Sequence, residues 1–291
     1  MVRIAVVGIP GKWSTEVLAD EVERSTGFRL VVDMSEVQLD LNSRQLFFNG
    51  QNLCELDAVI VKKISANYNP NTLDRLELLK VVEAAGVQVF SSVKSIMALI
   101  DRLSCTVAMR NADIPMPNTF VTESVTAAVT AVEKFGEAVF KPLYSTKAQG
   151  MCVISSGDRD KVEQQVVEFK KNNPMMYIQQ KVALPGKDLG LVFLGGEYLG
   201  TYARVSSGGS WNTTIQHGGK YAAYTPSNDI IDLGRKAQAL FTMDFTTVDI
   251  AESDIGPIVF EVSAFGGFRG SKEGIGINAA KQYVEYVQRN L

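Results

Sequence analysis

Short β-rich runs alternate with helically spaced apolar residues through the first 90 positions, and this alternation restricts the possible fold more than any other feature. Arg3–Val7 is β-rich, Val17, Leu18 and Val22 share one helical face within Ser14–Arg24, and Phe28–Val32 is β-rich again. Val37–Leu41 and Gln45–Phe48 alternate around Asn42-Ser43 as a hairpin, followed by Asn49-Gly50 and the apolar run Asp57–Val61. Asn69-Pro70 supplies a helix cap and a first-turn proline; the helix then runs through Leu73, Leu76, Leu79 and Val82 to Gly86, and Val87–Phe90 follows as a strand. Strands separated by helices indicate a small, mainly parallel α/β domain.

Two helical stretches, Val93–Ile100 and Arg102–Asn111, lead to Ile114-Pro115-Met116-Pro117, a stiff linker because each proline fixes its own φ and restricts the residue before it. Beyond it the pattern is α+β. Val139–Leu143, Met151–Ile154 and Met176–Gln180 read as strands, with a helix over Asp158–Lys171. Leu189–Leu194 and Tyr198–Arg204 flank a Gly195-Gly196-Glu197 turn. Val205–Gly219 carries no charge and is rich in Ser, Gly and Thr, so it reads as a long mobile loop. A helix over Asn228–Phe241 and strands over Thr246–Ala251 and Pro257–Val262 come next, and Gly266–Leu291 reads as a glycine-rich loop entering a terminal helix.

Composition excludes several function classes. The chain has 291 residues, 46% hydrophobic and 21% charged, with 29 Lys plus Arg against 32 Asp plus Glu, a net charge of -3. Such a length buries a sizeable core without disulfides or metal. The absence of a basic run argues against binding to a phosphate backbone. No stretch approaches the roughly 20 apolar residues of a membrane span. The first apolar run is short and flanked by Arg3 and Lys12, so it reads as a strand and not as a leader. Cys54, Cys105 and Cys152 are far apart and lack metal spacing, which points to buried free thiols in a reducing cytoplasm.

Several residues stand where charge is costly. Lys141 interrupts the apolar run Val139-Phe140-Lys141-Pro142-Leu143, and a lysine buried in a strand costs several kcal/mol unless an anion meets it. The loop Ser145-Thr146-Lys147-Ala148-Gln149-Gly150 has the small and polar residues of a phosphate lid. A solvated edge lysine beside an ordinary turn is the competing reading. Asp249 and Glu261 each sit in an apolar strand, and the tight turn at Asp254–Pro257 brings the two strands side by side. Facing carboxylates repel unless a cation or proton is shared; magnesium bound with substrate phosphates meets that need, and separate ion pairs are the alternative. Gly8-Ile9-Pro10-Gly11-Lys12-Trp13-Ser14 lies between strand and helix, either as a tight turn or as the wall of a substrate pocket; its spacing is not that of a Walker motif. His217, the one histidine, gives no basis for a nucleophilic triad. Trp211 covers a ligand or pins its loop.

Taken in order, these segments resemble the ATP-grasp superfamily, in particular its RimK-like carboxylate-amine ligases, with glutathione synthetase more distant. Asp101-Arg102-Leu103 and Ile114-Pro115-Met116-Pro117 are similar to the family's Asp-Lys helix and following linker, and Phe140-Lys141-Pro142-Leu143 with the lid to Gly150 continues the match. Tyr177–Val182 is similar to the hinge whose backbone reads adenine, and Gly186-Lys187-Asp188-Leu189 to the strand after it. Arg204, Gly218-Gly219, Val248-Asp249-Ile250 and Phe260-Glu261-Val262 fall where the family keeps an arginine, a loop end and its two metal strands.

The resemblance implies an ATP-grasp fold, α/β and then α+β: an N-terminal parallel-sheet domain over 1–115, a central lid over 116–183 and a C-terminal domain with the metal site over 184–291. It implies a cytoplasmic ligase that phosphorylates a carboxylate with ATP and lets an amine displace phosphate from the acyl-phosphate. ATP would be held by Arg102, Lys141, Ser145, Gly150, Gln180, Lys181, Val182 and Asp188, and Mg²⁺ or Mn²⁺ by Asp249, Glu261 and Ser263. Lys141 and Arg204 would be catalytic, Arg204 stabilising the acyl-phosphate and tetrahedral oxygens. The implied partners are a carboxylate on a small molecule, peptide or protein tail and an amine, with neither nucleic acid nor membrane, in a protein that self-associates. A synapsin-like ATP-binding module and an ATP-grasp kinase are the alternatives.

Departures from the family pattern are specific. Ser263 replaces a metal-binding Asn, Arg102 a Lys, Gly190 an Arg and Thr214 an Asn. Gly266-Gly267-Phe268-Arg269 replaces another turn and adds positive charge, so Arg269 and Lys272, with Trp211 and Arg204, are the candidate contacts to an acidic substrate.

Overall fold

The computed structural model describes residues 2–145, 148–206 and 219–291. Strands β1 (Ile4–Val7), β2 (Val31–Val32), β6 (Ala58–Val61) and β7 (Gln88–Phe90) form a parallel sheet in the order β2-β1-β6-β7. Helices α1 (Trp13–Thr26) and α2 (Pro70–Ala84) supply crossovers, as parallel neighbours require. Asn69 opens α2, its N–H donating to Thr72 Oγ1 at 3.1 Å. The expected hairpin exists as β3 (Gln38–Asp40) and β4 (Gln45–Phe48), and β5 (Gln51–Asn52) extends it to a separate three-stranded sheet.

Helices α3 (Val93–Ile100) and α4 (Arg102–Asn111) lead into the second large sheet, which is antiparallel, in the order β10-β9-β11-β8. It comprises β8 (Thr119–Thr122), β9 (Glu137–Lys141), β10 (Cys152–Ser155) and β11 (Met176–Gln180), covered by α5 (Val125–Phe135) and α6 (Arg159–Asn172). The third sheet, also antiparallel, runs β14-β13-β12-β15-β16. Its members are β12 (Lys187–Leu194), β13 (Glu197–Val205), β14 (Lys220–Ala223), β15 (Phe245–Ser253) and β16 (Gly256–Val262), with α7 (Asn228–Ala239) packed on it.

Gly266–Leu291 departs from expectation. It holds two helices, α8 (Phe268–Ile275) and α9 (Ala279–Arg289), where the glycines suggested a loop before one helix. Gly276 ends α8 in the left-handed region at φ +70°, a usual glycine role. Gly270 and Gly274 serve close packing instead: a Cβ on either would lie 2.4 Å and 2.6 Å from atoms of Tyr202. Two of the three thiols also depart from expectation, since Cys105 is buried but Cys54 and Cys152 are half-buried.

The cores show how these parts combine. Two apolar cores each contain residues from both ends of the chain: Ala5, Leu76 and Ile96 pack with Leu191 and Val248, and Ile4 and Leu18 with Phe245 and Tyr283. The 119–180 sheet has a core of its own, built from residues such as Val132, Phe140, Phe169 and Ile178. Among the described residues no helix is long and apolar enough to cross a membrane.

Candidate active site

Strand register brings the acidic residues together. Asp249 on β15 is the direct partner of Glu261 on β16 and, on its other side, of Gly190 on β12, which in turn faces Tyr202 on β13. Directly paired residues share a sheet face. Tyr202, Gly190, Asp249 and Glu261 therefore form one row across the third sheet, and Asp188 and Arg204, two positions along and paired with each other, lie on the same face.

Arg204 ties this face together. Its Nε donates to both oxygens of Asp188 at 3.2 and 3.0 Å, its second amino group also pairs with Asp188, and the same group lies 2.9 Å from Asp249. Burial opposes the Arg204 charge, but Asp249 and Asp188 hold its pKa well above the ordinary value. Asp249 is pushed up to about 7, first by burial; Arg204 opposes the rise, and Asp188 and Glu261 add to it by like charge. A further cation beside Asp249 and Glu261 would favour the charged form of both carboxylates.

The opposing wall comes from the second sheet and α4. Lys141 ends β9 with only 9% exposure; its Nζ donates to Gln179 Oε1 and lies 5.4 Å from the centre of the Phe260 ring. Burial, and then Arg102, lower its pKa to about 7 against the pull of Glu261. Lys141, Arg102 and Glu261 are thus electrostatic neighbours although 159 positions separate the last two. Arg102 opens α4 and reaches three ways: to Glu261 Oε2 at 3.3 Å, to the Pro142 carbonyl at 3.3 Å and to Ser145 Oγ at 3.5 Å. Gly150 returns the lid loop at φ +72°, where a Cβ would lie 3.1 Å from Pro142 Cγ.

The remaining candidates divide. Gln180 ends β11 and Lys181 follows it, in the segment expected to form the hinge. The Gln180 N–H donates to the Asn118 carbonyl at 2.8 Å, the Lys181 N–H donates to the Glu137 carbonyl at 2.9 Å, the Lys181 ammonium pairs with the Glu137 carboxylate at 3.0 Å, and Val182 is half-buried beside them. Ser263 is half-buried two residues beyond Glu261, its N–H bonded to the Thr247 carbonyl at 2.9 Å and its own carbonyl held by Thr246 Oγ1 at 2.7 Å. Arg269 and Lys272 on α8 lie against Trp13 of α1, 5.3 and 5.6 Å from its ring centre. Tyr221 connects the two regions, since both Arg204 and Arg269 act on its hydroxyl. The Gly11 N–H is capped by Glu16 Oε1 at 2.6 Å, as in an ordinary βα turn. Trp211, Thr214 and His217 lie outside the described residues.

Sequence reasoning missed Gln179, Tyr68 and the pair Lys62-Lys63. Lys62 follows the apolar β6 and is 5% exposed, donating to the Gly266 carbonyl with its Nζ 4.0 Å from the centre of the Phe268 ring. Lys63 reaches the Tyr68 hydroxyl at 2.6 Å. A lysine at the end of an apolar strand is the signal that picked out Lys141, and it applied equally to Lys62. A cavity of about 630 Å³ lies under the lid loop, lined by Tyr68, Pro142, Tyr144, Ser145, Gly150 and Cys152 among others; it does not reach Lys141, Asp249 or Glu261.

Two acidic strands, a buried strand lysine and an arginine bridging lid and carboxylate are what binding and transfer of a phosphoryl group need. Comparison with known proteins agrees. A tetrahydromethanopterin:α-L-glutamate ligase of Methanosarcina acetivorans is 26% identical, the match covering 97% of each chain. A ribosomal protein bS6–L-glutamate ligase of Salmonella paratyphi B is 23% identical over 99% of this chain and 96% of that one. Among solved structures, the ATP-grasp ligase PsnB complexed with minimal precursor superimposes with a TM-score of 0.76 at 17% identity, covering 100% of this chain and 99% of that one. The model of the RimK-like ATP-grasp domain matches residues 100–287, and the chain therefore belongs to the RimK-like ATP-grasp family and is an ATP-dependent carboxylate-amine ligase.

Proposed function

We propose that Lys141 and Arg102 hold the ATP phosphates over the row formed by Asp249 and Glu261, and that a carboxylate is activated there and passed to an amine. The supporting observation is the meeting of Lys141, Arg102 and Glu261 from two sheets and a helix around Asp249. Ser145 and Gly150 shape the phosphate lid. Gln180, Lys181 and Val182 line the adenine hinge, and Asp188 orients Arg204 for the reacting oxygens.

Asp249 and Glu261 are adjacent hard oxygen donors on one sheet face, so the residues suit Mg²⁺ or Mn²⁺, which takes one or two carboxylates together with phosphates. Ser263 completes the set with a hydroxyl. When bound, the metal neutralises phosphate charge during transfer. The chain itself binds and aligns: Lys141 and Arg102 fix the γ-phosphate, the carboxylate oxygen bonds to its phosphorus as the bond to ADP breaks, and Arg204 faces the oxygens that then carry charge. The amine nitrogen next bonds to the acyl carbon, phosphate leaves, and the surplus amine proton departs with it.

The two named relatives act with glutamate, on a pterin and on a ribosomal protein. An acidic small molecule or an acidic peptide or protein tail is accordingly the substrate class we assign here, with Arg269 and Lys272 receiving its outlying negative charge. The division at 1–115, 116–183 and 184–291, a cytoplasmic location, self-association and the absence of nucleic-acid and membrane partners complete the reading. Phosphate release is measured with ATP, L-glutamate and a panel of acidic peptides and dicarboxylates, with mass spectrometry of the product. Release that needs both acid and amine and yields an amide supports the reading; a phosphorylated hydroxyl in place of an amide refutes it.

A further inference from the structure

Thr247 lies two positions before Asp249 on β15, and its hydroxyl is an unsatisfied group inside the fold. The residue is 3% exposed, and its Oγ1 is buried without a hydrogen-bond partner among the described residues. Leaving a buried hydroxyl unpaired is costly, and the large majority of such groups are paired. Its strand neighbours offer nothing. Val192, opposite Thr247 on β12, is apolar, and the Ser263 hydroxyl on the other side makes no bond to it.

Register decides where this oxygen belongs. Residues two apart on a strand share a face, so Thr247 lies on the face of Asp249. Ser263 stands opposite Thr247, its N–H donating to the Thr247 carbonyl at 2.9 Å, just as Glu261 stands opposite Asp249. Asp249, Glu261, Ser263 and Thr247 therefore mark four corners of a rectangle whose Cα atoms are about 5.5 Å apart across the strands and about 7 Å apart along them. Three corners are the oxygen donors assigned above to the divalent cation. Among the described residues no group of three His, Cys, Asp or Glu side chains comes together to hold a metal, and a cation taken by two carboxylates has positions left for neutral oxygens.

We propose that Thr247 Oγ1 is a further oxygen of the divalent-cation site, acting with Ser263 in place of the single longer amide of the family pattern. The inference rests on the metal reading above and deepens it. Ser263 is too short to replace an asparagine alone, and the hydroxyl beside it supplies a second oxygen at the same end of the site. Since Oγ1 holds no hydrogen bond in the fold, turning it toward the cation forfeits none.

Mn²⁺ binding to the ADP complex, read by electron paramagnetic resonance, tests this without turnover. Thr247→Val keeps the shape of the side chain and removes its oxygen, and Thr247→Ser keeps the oxygen. We expect Mn²⁺ affinity to fall about tenfold in Thr247→Val and to stay within about twofold of wild type in Thr247→Ser. The melting temperature of metal-free Thr247→Val should hold or rise, because the variant discards a buried polar atom that nothing satisfies. Equal Mn²⁺ affinity in wild type and Thr247→Val overturns the proposal. An equal loss in both variants also overturns it, by tracing the effect to packing, and so does a Thr247→Val melting temperature well below wild type, which would mean that the hydroxyl is already bonded in the fold. A wild-type ADP complex that takes up no Mn²⁺ overturns the metal reading and this inference with it, whereas the other results overturn this inference alone.

Discussion

Asp249 and Glu261 stand directly opposite each other across β15 and β16, yet each is bound to a different arginine, Asp249 to Arg204 at 2.9 Å and Glu261 to Arg102 at 3.3 Å. The two arginines keep the carboxylates from repelling one another. Replacing Asp249 by Asn removes one charge of the pair while keeping its shape, so Mg²⁺-dependent ATP binding should weaken at least tenfold while the melting temperature holds or rises. Calorimetric titration of Mg-ATP, set beside a thermal melt, checks both halves; undiminished binding would remove Asp249 from the metal site.

Ser263 offers one short oxygen donor where an amide would reach further. Its backbone is fixed at both ends by Thr246 and Thr247, so Ser263→Asn should change the donor without moving the strand. Mg²⁺ affinity of the ADP complex is expected to increase several-fold. An unchanged titration would show that this position does not touch the ion.

Lys62 and Lys141 both have native pKa values lowered to about 7 from 10.5, chiefly by burial. Between those values the unfolded chain binds more protons than the native one, so these residues make stability rise with pH from 7 toward 10. Each contributes a slope of about 1.4 kcal/mol per pH unit, and their penalty is at its full size below pH 7. Urea unfolding at pH 7, 8 and 9 should show a flatter dependence in Lys62→Met and in Lys141→Met than in wild type. Lys141→Met should also abolish the melting-temperature rise given by Mg-ATP, and Lys62→Met should preserve it. Parallel curves for all three proteins would contradict the burial of these charges.

Gly190 has room for nothing beyond hydrogen while Tyr202 keeps its place. Gly190→Ala should cost about 1–3 kcal/mol through overpacking. Combining it with Tyr202→Ala should recover part of that cost, so that the double variant is more stable than the sum of the singles predicts. A chemical-denaturation cycle measures the difference, and strict additivity would mean that the two positions do not compete for the same space.

The parts legible in the sequence were those where periodicity and charge disagree. Lys141, Asp249 and Glu261 stood out because each interrupts an apolar run, and the turn after Asp249 correctly announced the pairing of its strand with that of Glu261. β8 and α5 went unread: Thr119–Thr122 and Val125–Phe135 mix alanine, valine and threonine, which suit strand and helix about equally. α8 was hidden by its glycines, whose role is to admit the Tyr202 ring, a reason that exists only after the chain has folded. The double attachment of Arg204 was equally invisible, because only strand order and register bring Asp188 on the next strand and Asp249 on the one beyond it within its reach.

The backbone N–H of Val259 donates to the carbonyl of Pro115 at 2.8 Å, so the linker is stitched to β16 before the second sheet begins. Together with the cores shared by the two ends of the chain, this joins the linker to one continuous frame, while the 119–180 sheet closes upon an interior of its own. The frame carries the carboxylate row and the 119–180 sheet carries Lys141. Parting the two would break contacts such as Arg102 to Pro142 and Thr106 to Tyr177 and would pull Tyr144 from the core shared by the chain ends. Lys141 and the carboxylate row thus belong to separately packed parts of the molecule, and the charged cluster exists only where the two parts meet.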